Sequence, residues 1–552
     1  MALTRTEFTL NLRFKLNRAL APVKHAQAAI VLIVLGITSP TLLLAQSSMT
    51  TPLSQLPTLG DGSDISTSAE RRLGDRIARE IFRDPDYLDD PVLAEYLQGI
   101  WQPLLAASRA RGDLSPELDE RFAWEIMLGR DRTVNAFALP GGYLGVHLGL
   151  IGIVSSRDEL ASVLGHELSH VTQRHISRLI SKQGQQTPWL IGAMILGALA
   201  ASKNPDAGSA MIVGGQAVSA QNQLNFSRDM EREADRVGYG VMTQAGFEPQ
   251  GFVTMFDKLQ QASRLNDNGA YPYLRSHPLT TERIADMQTR QALLTPNPAK
   301  AALTLEHAML AARARVLSNP GVDALHATGM QVSDAAMATL AAPNQAAALY
   351  GAALAASRLR DFANARVYLD RLTLLARTDA PAARLVRLLA AEIALTAGDL
   401  PRAAALLKAS PGVASGAVGE AANPGRPELL LSAQIATRAV PGAAGFDPAM
   451  IREVGQRLQL WVTAHPRDAQ AWQLLSAVYA AQGQTLRAIR ADAEAHIALL
   501  DYPAALDRLK AAQGLVAQER LNHKAVDHID ASIIDTRHRQ VAALLKEQTL
   551  DR

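Results

Sequence analysis

The sequence predicts a mainly α-helical chain in two parts, a domain combining helices with a small β-sheet and then an α-solenoid of paired helices. Three observations carry that prediction. His166-Glu167-Leu168-Ser169-His170 sits in the apolar, helically spaced run ASVLGHELSHVTQRH. Upstream, residues 133–146 read as two short strands around the turn Pro140-Gly141-Gly142. Beyond residue 300 the composition shifts to Ala, Leu and Arg in a recurring helix–turn–helix unit.

Taken from the N-terminus, residues 1–25 carry Arg5, Arg13, Lys15, Arg18 and Lys24 against one acid, Glu7. The apolar stretches 28–35 and 41–45 follow, ending at Ala45, where a signal peptidase can cut before Gln46. Residues 1–45 are therefore expected to be a signal peptide, with retention as a membrane anchor as the alternative. The absence of cysteine excludes a lipoprotein anchor there. Residues 46–65, rich in Ser, Thr, Pro, Gly and Asp, read as a flexible linker.

Loss of the leader removes five basic residues and one acid from 55 and 53, leaving 50 and 52. The remainder is near neutral, which gives no signal for nucleic-acid binding. With zero cysteines a disulfide framework is impossible, so stability rests on packed cores and any bound metal. A chain of 552 residues has room for several such cores.

Each helical residue advances about 100°, so His166 and His170 share one face, where two imidazoles can hold a metal. Glu167 lies one step round and can reach water bound there. Leu160, Ala161, Val163, Leu164, Leu168 and Val171 make this helix largely apolar. Burial follows, which argues against a solvent-facing turn that merely carries two histidines.

A catalytic zinc takes three protein ligands and keeps one open position. Glu231, in SRDMEREADRVGYGVM, is the candidate third ligand. Asp235, one turn on, can accept the second ring N–H of a ligating histidine. Spacing alone leaves another reading open, a solvated helix face whose acids pair with Arg228, Arg232 and Arg236. His277 precedes Pro278 in SHPLTTERI and by itself reads as a loop histidine. His147 and His175 read as structural, His175 because it lies five residues past His170, off the ligand face.

Between these motifs, Trp189–Ala201 (WLIGAMILGALAA) is almost wholly apolar, and 209–219 continues with small and apolar residues. Its 13 residues fall short of the roughly 20 that span a bilayer. Two readings stand: a hydrophobic lid that touches membrane or a partner, or a buried helical hairpin. The run Thr295-Pro296-Asn297-Pro298 punctuates the end of the domain.

In the tail, turns at Arg360-Asp361, Gly398-Asp399 and Gly483-Gln484 separate helical stretches. Asp361 to Asp399 spans 38 residues, close to the repeat of about 34 in tetratricopeptide arrays. Trp472, Leu475 and Tyr479 fit the W-x-x-L-x-x-x-Y start of such a repeat. A plain helical bundle is the alternative, and the Gly-, Pro- and Ala-rich span 410–446 is expected to pack irregularly. Stacked repeats would offer a concave face for partners and no chemistry.

HELSH, then EREAD about sixty residues on, then YLRSHPLTTERI together resemble the HtpX and CAAX-prenyl-protease type of zinc metallopeptidase. The resemblance runs from about Ser66 to Met287 and is greatest to soluble periplasmic members with a tetratricopeptide tail. It implies a zincin-like (gluzincin) metallopeptidase domain over 66–295 and tetratricopeptide-like repeats over 300–547. One Zn2+ would be held by His166, His170 and Glu231, with Glu167 as general base.

His277 matches a histidine that can take the fourth zinc position and shut the site, then assist the oxyanion once released. Arg283 would orient the site or the developing negative charge. The hairpin would border the cleft, where a substrate can add as a strand. The chain is thus expected to be an exported zinc endopeptidase of the periplasm that cleaves misassembled envelope proteins. Its partners would be outer-membrane β-barrel precursors and the barrel assembly machinery. The alternative is a chaperone-like assembly factor that works through the repeats with the zinc site usually shut.

Overall fold

Where each helix begins is set by local capping, and that in turn sets which residues meet. The computed structural model describes residues 65–182, 227–264, 270–292, 303–408, 425–439, 448–523 and 527–550. The expected leader, the linker up to residue 64, Trp189–Ala201 and most of 410–446 lie outside the described residues. No described helix is long and apolar enough to cross a membrane.

The first part holds α1 (Thr67–Arg83), α2 (Pro91–Arg111), α3 (Pro116–Arg121), α4 (Leu148–Ile153), α5 (Arg157–Thr172) and α6 (His175–Lys182). It continues with α7 (Arg228–Gln244), α8 (Gln250–Arg264), α9 (Tyr273–Ser276) and α10 (Thr281–Ala292). Strands β1 (Tyr87–Leu88), β2 (Glu125–Gly129), β3 (Ala136–Leu139) and β4 (Tyr143–His147) form one sheet in the order β1-β2-β4-β3. The pair β2/β4 is parallel and the other pairs are antiparallel. Here β3 is an edge strand of the sheet, and it packs against α5.

The expected hairpin is present. Gly141 and Gly142 turn it with φ of 73° and 85°, values that a side chain resists. Ser156 caps α5 by accepting Glu159 N–H at 3.1 Å, and Glu159 reaches back to accept Ser155 N–H at 2.7 Å. This reciprocal cap fixes the start of the helix and hence the phase at which His166 and His170 emerge. Lys258 of α8 closes on the same Glu159 carboxylate at 2.6 Å.

Helices α5 and α7 approach closely because glycine stands on both sides of the contact. A Cβ at Gly238 would lie 2.9 Å from the Gly165 backbone, and one at Gly165 would lie 3.2 Å from the Gly238 carbonyl oxygen. Only at this spacing can the short side chains of Glu231 and Asp235 reach the histidines opposite.

The second part runs through α11 (Leu305–Ser318), α12 (Val322–Met330), α13 (Asp334–Ala338), α14 (Ala342–Arg358), α15 (Phe362–Ala376), α16 (Ala380–Ala397) and α17 (Leu400–Lys408). Then come α18 (Arg426–Arg438), α19 (Pro448–Ala464), α20 (Ala469–Ala481), α21 (Thr485–Ala498), α22 (Tyr502–Leu521) and α23 (His528–Leu550). The three turns expected from the sequence fall between α14 and α15, α16 and α17, and α20 and α21. Arg360, Gly398 and Gly483 adopt positive φ there.

The hydrophobic core is continuous across the boundary expected near residues 295–300, from Ile65 to Ile435. Buried His307 of α11 bonds Tyr96 of α2 at 2.6 Å and the Val154 carbonyl at 2.9 Å. Three tail arginines then clamp the segment around the start of α2. Arg313 grips Asp90 at 2.7 Å and Glu392 at 2.9 Å, and Arg426 grips Asp89 at 2.8 Å and Asp468 at 2.7 Å. Arg384 bridges Glu95 and Glu428.

Gly238→Ala tests the close crossing. Helix propensity alone would favour alanine by about 0.5–1 kcal/mol, but overpacking here costs about 1–3 kcal/mol, so the variant melts at a lower temperature. Gly514→Ala, on α22 with nothing within 4 Å of the new methyl, melts higher. Thermal denaturation of the two variants beside the parent protein gives the comparison.

Candidate metal centre

Helix periodicity on α5 and α7, brought together at the glycine crossing, converges four buried side chains. Donor atoms of His166, His170, Glu231 and His277 all lie within 4.8 Å of one another. His166 Nε2 and His170 Nε2 are 3.0 Å apart. Glu231 places Oε2 3.6 Å from His166 Nε2 and Oε1 3.5 Å from His170 Nε2. A metal about 2.0–2.1 Å from tetrahedral donors spaces them roughly 3.3–3.4 Å apart. The three donors therefore match the edges of such a polyhedron, and their chemistry, two imidazoles and a carboxylate, suits zinc.

His277 follows α9 and completes the group from the other side. Its Nδ1 lies 3.0 Å from Glu231 Oε1 and 3.4 Å from His166 Nε2, and its Nε2 lies 3.4 Å from Glu167 Oε1. Tyr273 stacks on the ring, centroids 4.6 Å apart. The segment that carries it is tied to the hairpin by Val134 N–H donating to Ala270 and Tyr273 N–H donating to Val134.

Glu167 is fully buried. Its Oε2 accepts Ala138 N–H from β3 at 2.9 Å, while Oε1 has no hydrogen-bond partner. Burial, offset in part by His277 and His166, raises its pKa above the usual carboxylate range. An unsatisfied buried carboxylate oxygen is expensive, and one facing a metal-ligand set has an evident use.

His166 is backed from α7. His166 Nδ1 meets Asp235 Oδ1 at 3.0 Å, and Arg283 of α10 grips Asp235 through Nε at 2.6 Å and Nη2 at 2.8 Å. Arg283 Nη1 lies 2.7 Å from Glu231 Oε2 but is aimed at the Pro278 carbonyl, 2.9 Å away. Glu231 Oε2 thus gains a neutralising charge without an aligned hydrogen bond and stays available to a metal.

These pairings decide the charges. Burial works against the cationic form of His166, but Asp235 and Glu231 outweigh it and push the pKa up to about 9. His170, buried beside His166, is held well below its ordinary value. Burial would raise Glu231, yet His277 and His166 hold it well below the carboxylate range. Glu231 and Asp235 are thus held ionised beside the imidazoles.

The structure brings together every site residue read from the sequence: His166, Glu167, His170, Glu231, Asp235, His277 and Arg283. His175, read as structural, lies with Nδ1 2.9 Å from His170 Nδ1 and Nε2 3.1 Å from Glu233 Oε2. Glu233, Tyr273 and the Ala138 amide were not foreseen.

Residues 96–291 match the model of peptidase family M48, a span that includes all of these site residues. A Vibrio cholerae relative is 35% identical over 277 residues, 49% of this chain and 54% of its own. The beta-barrel assembly-enhancing protease of Escherichia coli is 32% identical over 247 residues, 44% of this chain and 48% of its own. Mitochondrial metalloendopeptidase OMA1 of Arabidopsis thaliana is 32% identical over 164 residues, 30% of this chain and 31% of its own. The chain spans about half the length of the first two relatives. The resemblance carried by HELSH, EREAD and SHPLTTERI is borne out.

If Asp235 aims His166, Asp235→Asn keeps the fold through its remaining contacts with Arg283 but weakens metal binding about 10–100-fold. Competition against a chelator of known affinity measures the change.

Proposed function

We propose that this chain is a zinc-dependent metalloendopeptidase that acts in the periplasm on misassembled or misfolded envelope proteins, outer-membrane β-barrel precursors among them. One observation carries the reading: Glu167 Oε1 is buried without a hydrogen bond beside a His166/His170/Glu231 donor set, where a base for hydrolysis belongs. The name of the Escherichia coli relative supports the client class. The basic then apolar stretch of residues 1–45 supports export.

His166, His170 and Glu231 would hold the ion. When bound, zinc supplies a Lewis acid for the scissile carbonyl and brings the pKa of a coordinated water toward neutrality. Glu167 takes a proton on Oε1 from the attacking water and passes it to the leaving amine. The Ala138 amide keeps its other oxygen in place, and burial makes it a stronger base than an exposed carboxylate. Asp235 and Arg283 act as positioning residues, the first on His166 and the second on both α7 carboxylates.

His277 occupies the space between Glu167 and Glu231, where water and substrate would have to enter. This geometry supports a site shut at rest. Opening requires the ring to leave, and a freed His277 is then near enough to assist the oxyanion. Helices α11 to α23 are read as tetratricopeptide-like repeats that select or position clients.

Glu167→Gln is expected to bind metal as the parent does and to lose roughly 100–10,000-fold in peptide hydrolysis. Full cleavage by that variant, assayed on an unfolded reporter protein, sinks the proposal. His277→Ala is expected to raise basal cleavage of the same reporter while metal content holds. A fall instead assigns His277 to catalysis rather than to closure.

A further inference from the structure

The second ring nitrogen of His170 meets another buried histidine, His175. We propose that His175 and Glu233 are positioning residues of the metal centre, relaying hydrogen bonds that aim His170 Nε2 at the ion. The inference rests on the metal-site reading above.

The donor and acceptor roles follow by elimination. Glu233 Oε2 receives Arg178 Nη1 at 2.8 Å and lies 3.1 Å from His175 Nε2. An ionised carboxylate only accepts, so His175 Nε2 carries the proton and donates. In a neutral ring His175 Nδ1 is then the acceptor. His170 Nδ1, 2.9 Å away, must be the donor, and its Nε2 keeps the lone pair that faces His166 and Glu231.

The backbone is bent to make this contact. α5 ends at Thr172, and Arg174 adopts φ of 53° before α6 begins at His175. That left-handed conformation is unfavourable for a residue with a side chain. Arg174 is held there through 3.0–3.1 Å contacts to Glu70 and a 2.7 Å bond to the Ile65 carbonyl. The turn folds His175, wholly buried, back under His170.

The two ligand histidines are thus served by parallel relays from one helix. Glu231 reaches the centre, Asp235 backs His166 directly, and Glu233 backs His170 through His175. The relays differ at their ends: Asp235 is almost fully buried, whereas the Glu233 side chain is 22% exposed.

The test measures zinc affinity of the full chain by chelator competition, with folding of the metal-free protein checked by thermal denaturation. His175→Phe keeps the ring volume and removes the acceptor, so the dissociation constant should rise about 10–100-fold. His175→Asn returns an acceptor oxygen near the Nδ1 position and should recover most of that loss. Glu233→Ala, at a partly exposed position that tolerates truncation, should fall between the two and decides the matter if His175→Phe does not fold. In the parent protein, nitrogen NMR of the imidazoles should show His170 protonated at Nδ1 and His175 at Nε2. Parent-like affinity in both His175→Phe and Glu233→Ala overturns the relay. If the parent protein itself fails to take up one zinc, the metal-site reading falls and the relay with it.

Discussion

The close crossing of α5 and α7 at Gly165 and Gly238 is the constraint on which the rest depends. Carboxylate side chains are short, so a helix pair at ordinary spacing would leave Glu231 and Asp235 out of reach of the histidines opposite. Two glycines remove the Cβ atoms that would hold the helices apart. Each glycine gives up some helix stability, about 0.5–1 kcal/mol relative to alanine. What is gained is a donor set at metal-binding distances. The reciprocal cap at Ser156 and the Ser227 cap on α7 then fix the rotational phase of each helix.

Burying so many ionisable groups demands compensation, because an isolated buried charge is costly. The compensation is arranged in layers. Carboxylates of α7 stand behind the histidines, and Arg283 and Arg178 stand behind the carboxylates. The outer contacts of the first relay are bidentate, as Arg283 spans both oxygens of Asp235, which adds direction to the charge. Glu167 Oε1 faces this scheme without a hydrogen bond, and it is the atom from which hydrolysis needs a lone pair.

Much of the site was legible in the sequence because helix geometry is periodic. The i, i+4 spacing of His166 and His170, and of Glu231 and Asp235, puts each pair on one face whatever else the chain does. The same logic could not place His175 beside His170. Counting five residues on from His170 assumes an unbroken helix, but the chain leaves the helix after Thr172 and turns through a left-handed residue at Arg174. Glu233 was hidden for a related reason, since its contact runs through His175 and has no spacing of its own. Ala138 contributes a backbone amide, which carries no residue signature at all. The hairpin and the three tail turns were legible from glycine and proline, whereas the packing of α11 into the first core was not, since composition alone placed it with the tail.

The arginine clamps around the start of α2 have a consequence for how the chain melts. Asp89, Asp90 and Glu95 belong to the first part, and each is paired with an arginine that also holds an acid of the second. Loosening either part would strand half-buried carboxylates and guanidinium groups without partners, a penalty of about 3–5 kcal/mol for a buried pair such as Arg313 with Asp90. Partial unfolding is therefore disfavoured relative to unfolding of the whole. The two parts are expected to share one cooperative transition, so that thermal stress would meet the first part and the helical tail as a single thermodynamic unit.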